Sequence, residues 1–231
     1  MESISDWLAA AGVRGRTRVT LSYAQSLDGS ITARRGQPLP LSGPESLTLT
    51  HRLRAMHDGI LVGIGTLLSD DPSLTVRLVE GQDPQPVVLD SRLRFPTGAR
   101  LLSTGGPPPW IAALEGADPQ KHAALQAAGA RLLFLPPGED GRLSLPALLA
   151  CLYGLGVSSL MVEGGARVIT SFLAARMVDQ VVITLAPLFV GGLPAVDAIL
   201  PSLPNFPRLQ NIEYQRLGDD LIVYGSFHDH I

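Results

Sequence analysis

Apolar residues in this chain fall into short unbroken runs, and the stretches between them carry apolar positions three and four residues apart. The runs 18–24, 59–64, 86–90, 110–114, 131–136, 159–163, 180–187 and 221–227 are rich in Val, Ile and Leu. Unbroken apolar runs, in place of strict alternation, mark strands covered on both faces. Between them, Ser42 with Glu45 reads as a capping box, followed by Leu49, Leu53 and Met56 at helical spacing. Asp118-Pro119 opens a second helix that Gly129 stops, and Ser144 opens a third with a stripe of Leu145, Leu148, Leu149, Leu152 and Leu155. Ala166, Ile169, Phe172 and Leu173 form a fourth stripe.

Strands alternating with helices predict an α/β fold, a mostly parallel central sheet with helices on both faces. The last two strands have only loop between them, which adds an antiparallel C-terminal element. Ile4, Trp7, Leu8 and Ala11 share one face of a short N-terminal helix, so residues 1–16 read as a helical extension and 17–231 as a single domain.

Composition narrows the function classes. Net charge is −3 over 231 residues, which disfavours nucleic-acid or anionic-membrane binding, since both need a basic excess. No apolar run is long enough to span a bilayer, and the acidic start "MESISDW" is unlike a signal peptide. The single cysteine, Cys151, excludes an internal disulfide and reads as a core residue on a buried helix face. A cytoplasmic protein is expected. The five histidines form no HExxH or Cys-paired pattern, so no metal is expected.

Three stretches carry candidate chemistry. In "ILVGIGTLLSDDPSLTVR" (60–77) a strand runs into Gly63 and Gly65, then Thr66, Asp70 and Arg77. It reads either as a turn bringing backbone close to a ligand or as a corner capped by Asp70. In "VVLDSRLRFP" (87–96), Ser91, Arg92 and Arg94 follow a strand end, suited to the 2′-phosphate of a dinucleotide or to an ordinary solvated turn. In "LMVEGGARVITSFL" (160–173), Gly164 and Gly165 turn a strand sharply into a helix. The N–H groups of that helix start suit a pyrophosphate, yet Glu163 stands directly beside them; the other reading is a tight strand-to-helix turn with Glu163 as a solvated cap.

Together with "VTLSYAQSLDGSI" (19–31) and "HRLRAMHDGILVGIGTLLSDDPSLTVR" (51–77), these stretches resemble the riboflavin-biosynthesis reductases. The resemblance implies a dihydrofolate-reductase-like three-layer sandwich, an NADPH cofactor and a homodimer. It also implies reduction of the ribosylamino group of a pyrimidine 5′-phosphate, diaminopyrimidinone or aminouracil, to a ribitylamino group. By the same resemblance Arg54, Leu74, Arg77 and Glu163 would contact the substrate. Gln25, Thr66, Asp70, Ser91 and the run Gly165, Ala166, Arg167, Val168, Ile169, Thr170 and Ser171 would contact the cofactor. Glu163 and the helix start would then face two halves of one cleft. Asp70, with Glu163 second, is the candidate for moving a proton at the reacting carbon.

The chain departs from that pattern at Ser22, where many relatives carry lysine, and at Pro38 and Pro40, where relatives have a Ser-x-Trp pair. No HxE…PCxxC deaminase motif is present, so a separate enzyme would deaminate. Two other readings stay open: a dihydrofolate or pteridine reductase of the same fold, and a nucleotide-binding module without turnover.

Overall fold

The apolar runs pair into one sheet because each is buried from both sides. A computed structural model of the chain describes Ile4, residues 15–197 and residues 206–227. In chain order the strands are β1 (Arg18–Ser26), β2 (Ser30–Thr32), β3 (Gly59–Gly63), β4 (Gln85–Leu89), β5 (Trp110–Leu114) and β6 (Arg131–Leu135). They continue with β7 (Ser159–Gly164), β8 (Gln180–Ala186), β9 (Leu193–Pro194), β10 (Gln210–Leu217) and β11 (Asp220–Ser226). The helices are α1 (Pro44–Ala55), α2 (Ile64–Asp70), α3 (Pro119–Ala127), α4 (Leu145–Gly154) and α5 (Ala166–Ala174).

Among the described residues the main sheet has nine strands in the order β10-β11-β8-β1-β7-β3-β4-β5-β6. The seven from β8 to β6 are parallel, and β11 and β10 close one edge antiparallel. β2 and β9 form a separate two-stranded ribbon. Helices α4 and α5 cover the face that carries Leu21, Leu61, Leu160 and Val162. The opposite face, with Ile60, Val62 and Met161, is covered by α1, α2 and α3 through Leu53, Leu67 and Leu125. The three-layer α/β sandwich with an antiparallel C-terminal part is as expected.

Some local expectations change. The Ser42–Glu45 capping box does not form: Gly43 caps α1 with Pro44 in its first turn, and the Gly43 N–H donates to Asp220 Oδ2 at 2.8 Å. That long-range bond ties down the helix start in place of Ser42. Met56 lies past the end of α1 and is exposed. The caps of α3 and α4 are as expected: Asp118 accepts from Gln120 N and Ser144 from Ala147 N. Cys151 is half-buried and packs against the core from its edge. Ile4 is helical and buried against Leu53 and Met161; Trp7, Leu8 and Ala11 lie outside the described residues.

Candidate active site

β7 and β3 are neighbours, and the chain leaves them in opposite directions, through α5 toward β8 and through α2 toward β4. Such a switch point opens a crevice at the carboxyl ends of the strands, where α/β sheets place ligands. Both glycine pairs singled out in the sequence fall there. The stretch after Gly63, expected as a turn, is the short helix α2, which places Thr66 in its first turns and Asp70 at its end.

Glu163 owes its aim to a bulge. The β3–β7 register runs Leu61↔Val162 and then Val62↔Gly164, so Glu163 has no partner across the ladder. An extra residue of this kind kinks a strand and re-aims a side chain, a device found beside active sites. Gly164 has φ +102, and a Cβ there would stand 3.0 Å from Ile169 Cδ1. Only glycine fits comfortably.

The re-aimed carboxylate meets α1. Arg54 Nε donates to Glu163 Oε1 at 2.6 Å and Nη2 to Oε2 at 2.8 Å, a two-pronged pair with side-chain exposures of 11% and 15%. Burial alone would weaken the guanidinium's hold on its proton, but the adjoining Glu163 outweighs it and raises the Arg54 pKa above its usual value. Arg54 Nη1 donates to the Thr75 carbonyl at 3.1 Å. The carboxylate is therefore neither a solvated cap nor a competitor for the helix start.

Arg77 lies on the neighbouring segment and is exposed. Its Nη1 donates to Thr75 Oγ1 at 2.8 Å and to Ser73 Oγ. Its backbone N–H donates to His51 Nδ1 at 3.0 Å. Ser73, Thr75 and Arg77 alternate with the inward Leu74, which is 2% exposed with φ +52. The Leu74 side chain belongs to the core and is withdrawn from any ligand. Ser73, Thr75 and His51 were not singled out in the sequence. The two-residue spacing S-L-T-V-R was the signal for the first two, while His51 had none beyond its place one turn before Arg54.

The start of α5 is the second half of the crevice. Gly165 N donates to Thr66 Oγ1 at 3.1 Å, joining the two strand ends. Val168 and Ile169 N–H groups are spent on the Gly165 carbonyl. Those of Ala166 and Arg167 are left with no partner inside the helix, as first-turn donors always are. Val168, Ile169 and Thr170 have buried side chains, and Thr170 Oγ1 accepts from Asp197 N. Ser171 stands five residues into α5, about 7 Å along its axis. None of these four offers an open first-turn N–H group. Ala166 and Arg167, with Gly165 and Thr66 behind, are where such groups stay open to an anion. A Cβ on Gly63 would stand 2.7 Å from Val168 Cγ2, so glycine there lets α5 pack close on β3.

The remaining candidates lie on other elements. Ser91 follows β4, in a turn held by buried Asp90, which accepts from Phe95 N at 2.8 Å and Arg94 Nε at 3.3 Å. Arg92 is exposed. Gln25 lies half-buried near the carboxyl end of β1. Asp70 is exposed and accepts from Ser69 Oγ. Among the described residues, none of these makes a hydrogen bond to the Arg54–Glu163 pair. Ser22 is buried, whereas Pro38 and Pro40 lie on an exposed loop.

The fold is a three-layer α/β domain with a crevice at the carboxyl ends of β3 and β7. The RibD C-terminal domain family matches residues 17–223, and the chain belongs to that family. It is 39% identical to the 2,5-diamino-6-ribosylamino-4(3H)-pyrimidinone 5′-phosphate reductase of Archaeoglobus fulgidus, over 92% of this chain and 99% of that one. It is 34% identical to the riboflavin biosynthesis protein RibD of Bacillus amyloliquefaciens, over 90% of this chain but only 56% of that one. Among solved structures, the Saccharomyces cerevisiae riboflavin biosynthesis reductase Rib7 superposes with a TM-score of 0.75 at 27% identity, covering 96% of this chain and 94% of that one. An Enterococcus faecalis dihydrofolate reductase shares the fold, with a TM-score of 0.50 at 15% identity over 90% of this chain and 96% of that one.

Proposed function

We propose that this chain is an NADPH-dependent reductase acting on 2,5-diamino-6-ribosylamino-4(3H)-pyrimidinone 5′-phosphate in riboflavin biosynthesis. The observation that carries the reading is the bulged Glu163. It is gripped by Arg54 next to an exposed Arg77 with two hydroxyls, and it stands three residues before the uncovered N–H groups that begin at Ala166 of α5. A phosphomonoester suits Arg77, Ser73 and Thr75. The cofactor phosphates suit Ala166 and Arg167. The archaeal relatives at 37% and 39% identity, which this chain matches nearly end to end, are named for the diaminopyrimidinone substrate.

Opening the sugar moves the amine proton to O4′ and leaves a C1′=N bond. Hydride addition at C1′ and a proton at nitrogen then give the ribitylamino group. When bound, NADPH supplies that hydride from C4 of its nicotinamide. Arg54 holds Glu163 fixed with one bond to each oxygen, and the lone pairs that remain on the carboxylate orient the substrate. Asp70, with one carboxylate oxygen unengaged by any described residue, is the residue assigned to the proton. Gln25 would lie by the nicotinamide. Ser91 with Arg92 would take the adenosine 2′-phosphate.

A homodimer is part of the proposal. β10 is an edge strand exposed on both faces, with Ile212 and Tyr214 in the open, and a second copy would cover it by strand pairing. Among the described residues no helix is long and apolar enough to cross a membrane. A cytoplasmic enzyme working with a separate deaminase completes the reading.

The test is loss of NADPH absorbance with the diaminopyrimidinone ribosyl phosphate, with 5-amino-6-(5-phosphoribosylamino)uracil and dihydrofolate in parallel. Turnover of the first is expected. Turnover of the aminouracil alone would move the step after deamination. Turnover of dihydrofolate alone would replace the reading, and NADPH binding without turnover would leave a nucleotide-binding module.

A further inference from the structure

The segment 73–77 is tied to α1 at two points, and one of them is a histidine that the chemistry above does not use. Arg54 donates to the Thr75 carbonyl at 3.1 Å, and His51, three residues earlier on the same helix, accepts the Arg77 N–H on Nδ1 at 3.0 Å. Residues three apart share a helix face and residues two apart share a strand face, so the two bonds run side by side. Between them Val76 N donates outward to Asp83 Oδ1 at 2.6 Å. The backbone under Arg77 is thus gripped from both sides.

We infer that His51 is a positioning residue for the phosphate subsite: its Nδ1 holds the Arg77 backbone and so fixes the Arg77 guanidinium against the Arg54–Glu163 pair. The inference rests on the proposed reading of Arg77 as the phosphate ligand and deepens it.

The chemistry of the ring supports the assignment. An N–H donor on Nδ1 requires a lone pair there, so the proton of the neutral ring sits on Nε2. His51 is 1% exposed. Burial chiefly, then the Arg54 and Arg77 guanidiniums, push its pKa below the usual histidine value, against a smaller opposing pull from Glu163. These three side chains, from α1, the 73–77 segment and β7, are the charged groups that bear on the ring. Protonation would remove the acceptor and set a third positive charge beside two arginines. The tie therefore holds at neutral pH and is released in acid.

Two substitutions separate this role from mere packing. In His51→Asn the amide oxygen takes the place of Nδ1 and still accepts; in His51→Leu nothing accepts. With the ribosyl phosphate as substrate, H51L is expected to raise substrate KM about tenfold, the equivalent of ~1.4 kcal/mol. kcat and the KM for NADPH should each move less than about twofold on the same scale. H51N is expected to restore substrate KM and to flatten its rise relative to wild type between neutral pH and pH 5.5. Ribose 5-phosphate binding by calorimetry, with Arg77→Ala as reference, repeats the comparison without turnover. His51→Gln, whose oxygen lies toward Nε2, replaces H51L where that variant does not fold.

Wild-type binding that R77A abolishes, with H51L and H51N alike, overturns the inference and leaves the proposed function standing. A loss in H51L shared equally by substrate and NADPH does the same. No R77A-sensitive binding of ribose 5-phosphate by the wild type overturns the phosphate reading itself, and His51 with it.

Discussion

Arg54 and Glu163 form a nearly buried ion pair with two parallel hydrogen bonds. Such pairs hurt most when one partner is removed, because the survivor is left charged and dry. Glu163→Leu is expected to destabilise the protein by roughly 3 kcal/mol in denaturant unfolding. The Arg54→Leu, Glu163→Leu double variant should recover a large part of that, and a double variant as unstable as the sum would show the two are not coupled. Activity should vanish in both. At Asp70 the expectation is confined to chemistry: Asp70→Asn should keep stability and substrate KM while slowing single-turnover hydride transfer by ~100-fold. An unchanged transfer rate would remove Asp70 from the mechanism.

At the scale of elements, the joint between β3, β7 and α5 depends on glycines that do different things. A methyl on Gly63 meets Val168 at 2.7 Å, so Gly63→Ala should cost about 1–3 kcal/mol. It should also raise the KM for NADPH by displacing the first turn of α5. Gly65, in contrast, sits inside α2, and a methyl there would have no atom within 4 Å. Gly65→Ala should stabilise the fold by about 0.5–1 kcal/mol and still weaken NADPH if the ligand passes over it. Thermal melts with and without NADPH distinguish the two outcomes.

Helix α1 is anchored to β1 by a buried histidine. His57 donates from Nδ1 to the Leu53 carbonyl at 2.6 Å and accepts from Thr20 Oγ1 at 2.8 Å on Nε2. Burial lowers its pKa, more than the Leu53 carbonyl raises it. The unfolded chain then takes up the proton first. The His57 contribution is whole above the unfolded value of about 6.5 and is lost as pH falls from there through the lower folded pKa. Unfolding free energy should rise as pH approaches about 6.5 from below, and His57→Gln should reduce that slope, with buried His51 supplying a remainder of the same sign. An equal slope in the variant would assign the effect to other groups.

For the whole molecule, the consequence concerns the open edge. Among the described residues β10 pairs only with β11, and six of its eight residues are exposed, which in a sheet edge invites another strand. Light scattering is expected to give twice the chain mass, and Tyr214→Lys with Ile212→Lys should give a monomer with an unchanged fold by circular dichroism. A wild-type monomer at micromolar concentration would remove the dimer from the proposal.

Much of the architecture was legible in the chain itself. Runs such as GILVG and SLMVE are apolar without alternation, and only a two-sided burial accommodates them, so the layered sheet follows from local pattern. β10 escaped because its exposed sequence QNIEYQRL has no apolar run to betray a strand. α2 was hidden because its seven residues are too few to show a period. The glycines and Glu163 could be singled out by composition, and the resemblance supplied their roles. The pairing of Glu163 with Arg54 could not be, since 109 positions separate them. Nor could the bulge, which exists only as a mismatch between two strands, or the bond from His51 to Arg77, which needs a helix laid across a loop. Sequence determined which segments would be buried, because burial is a property of each segment's own side chains. The tertiary structure alone decided which charges would meet, because that depends on how separate segments are brought into register.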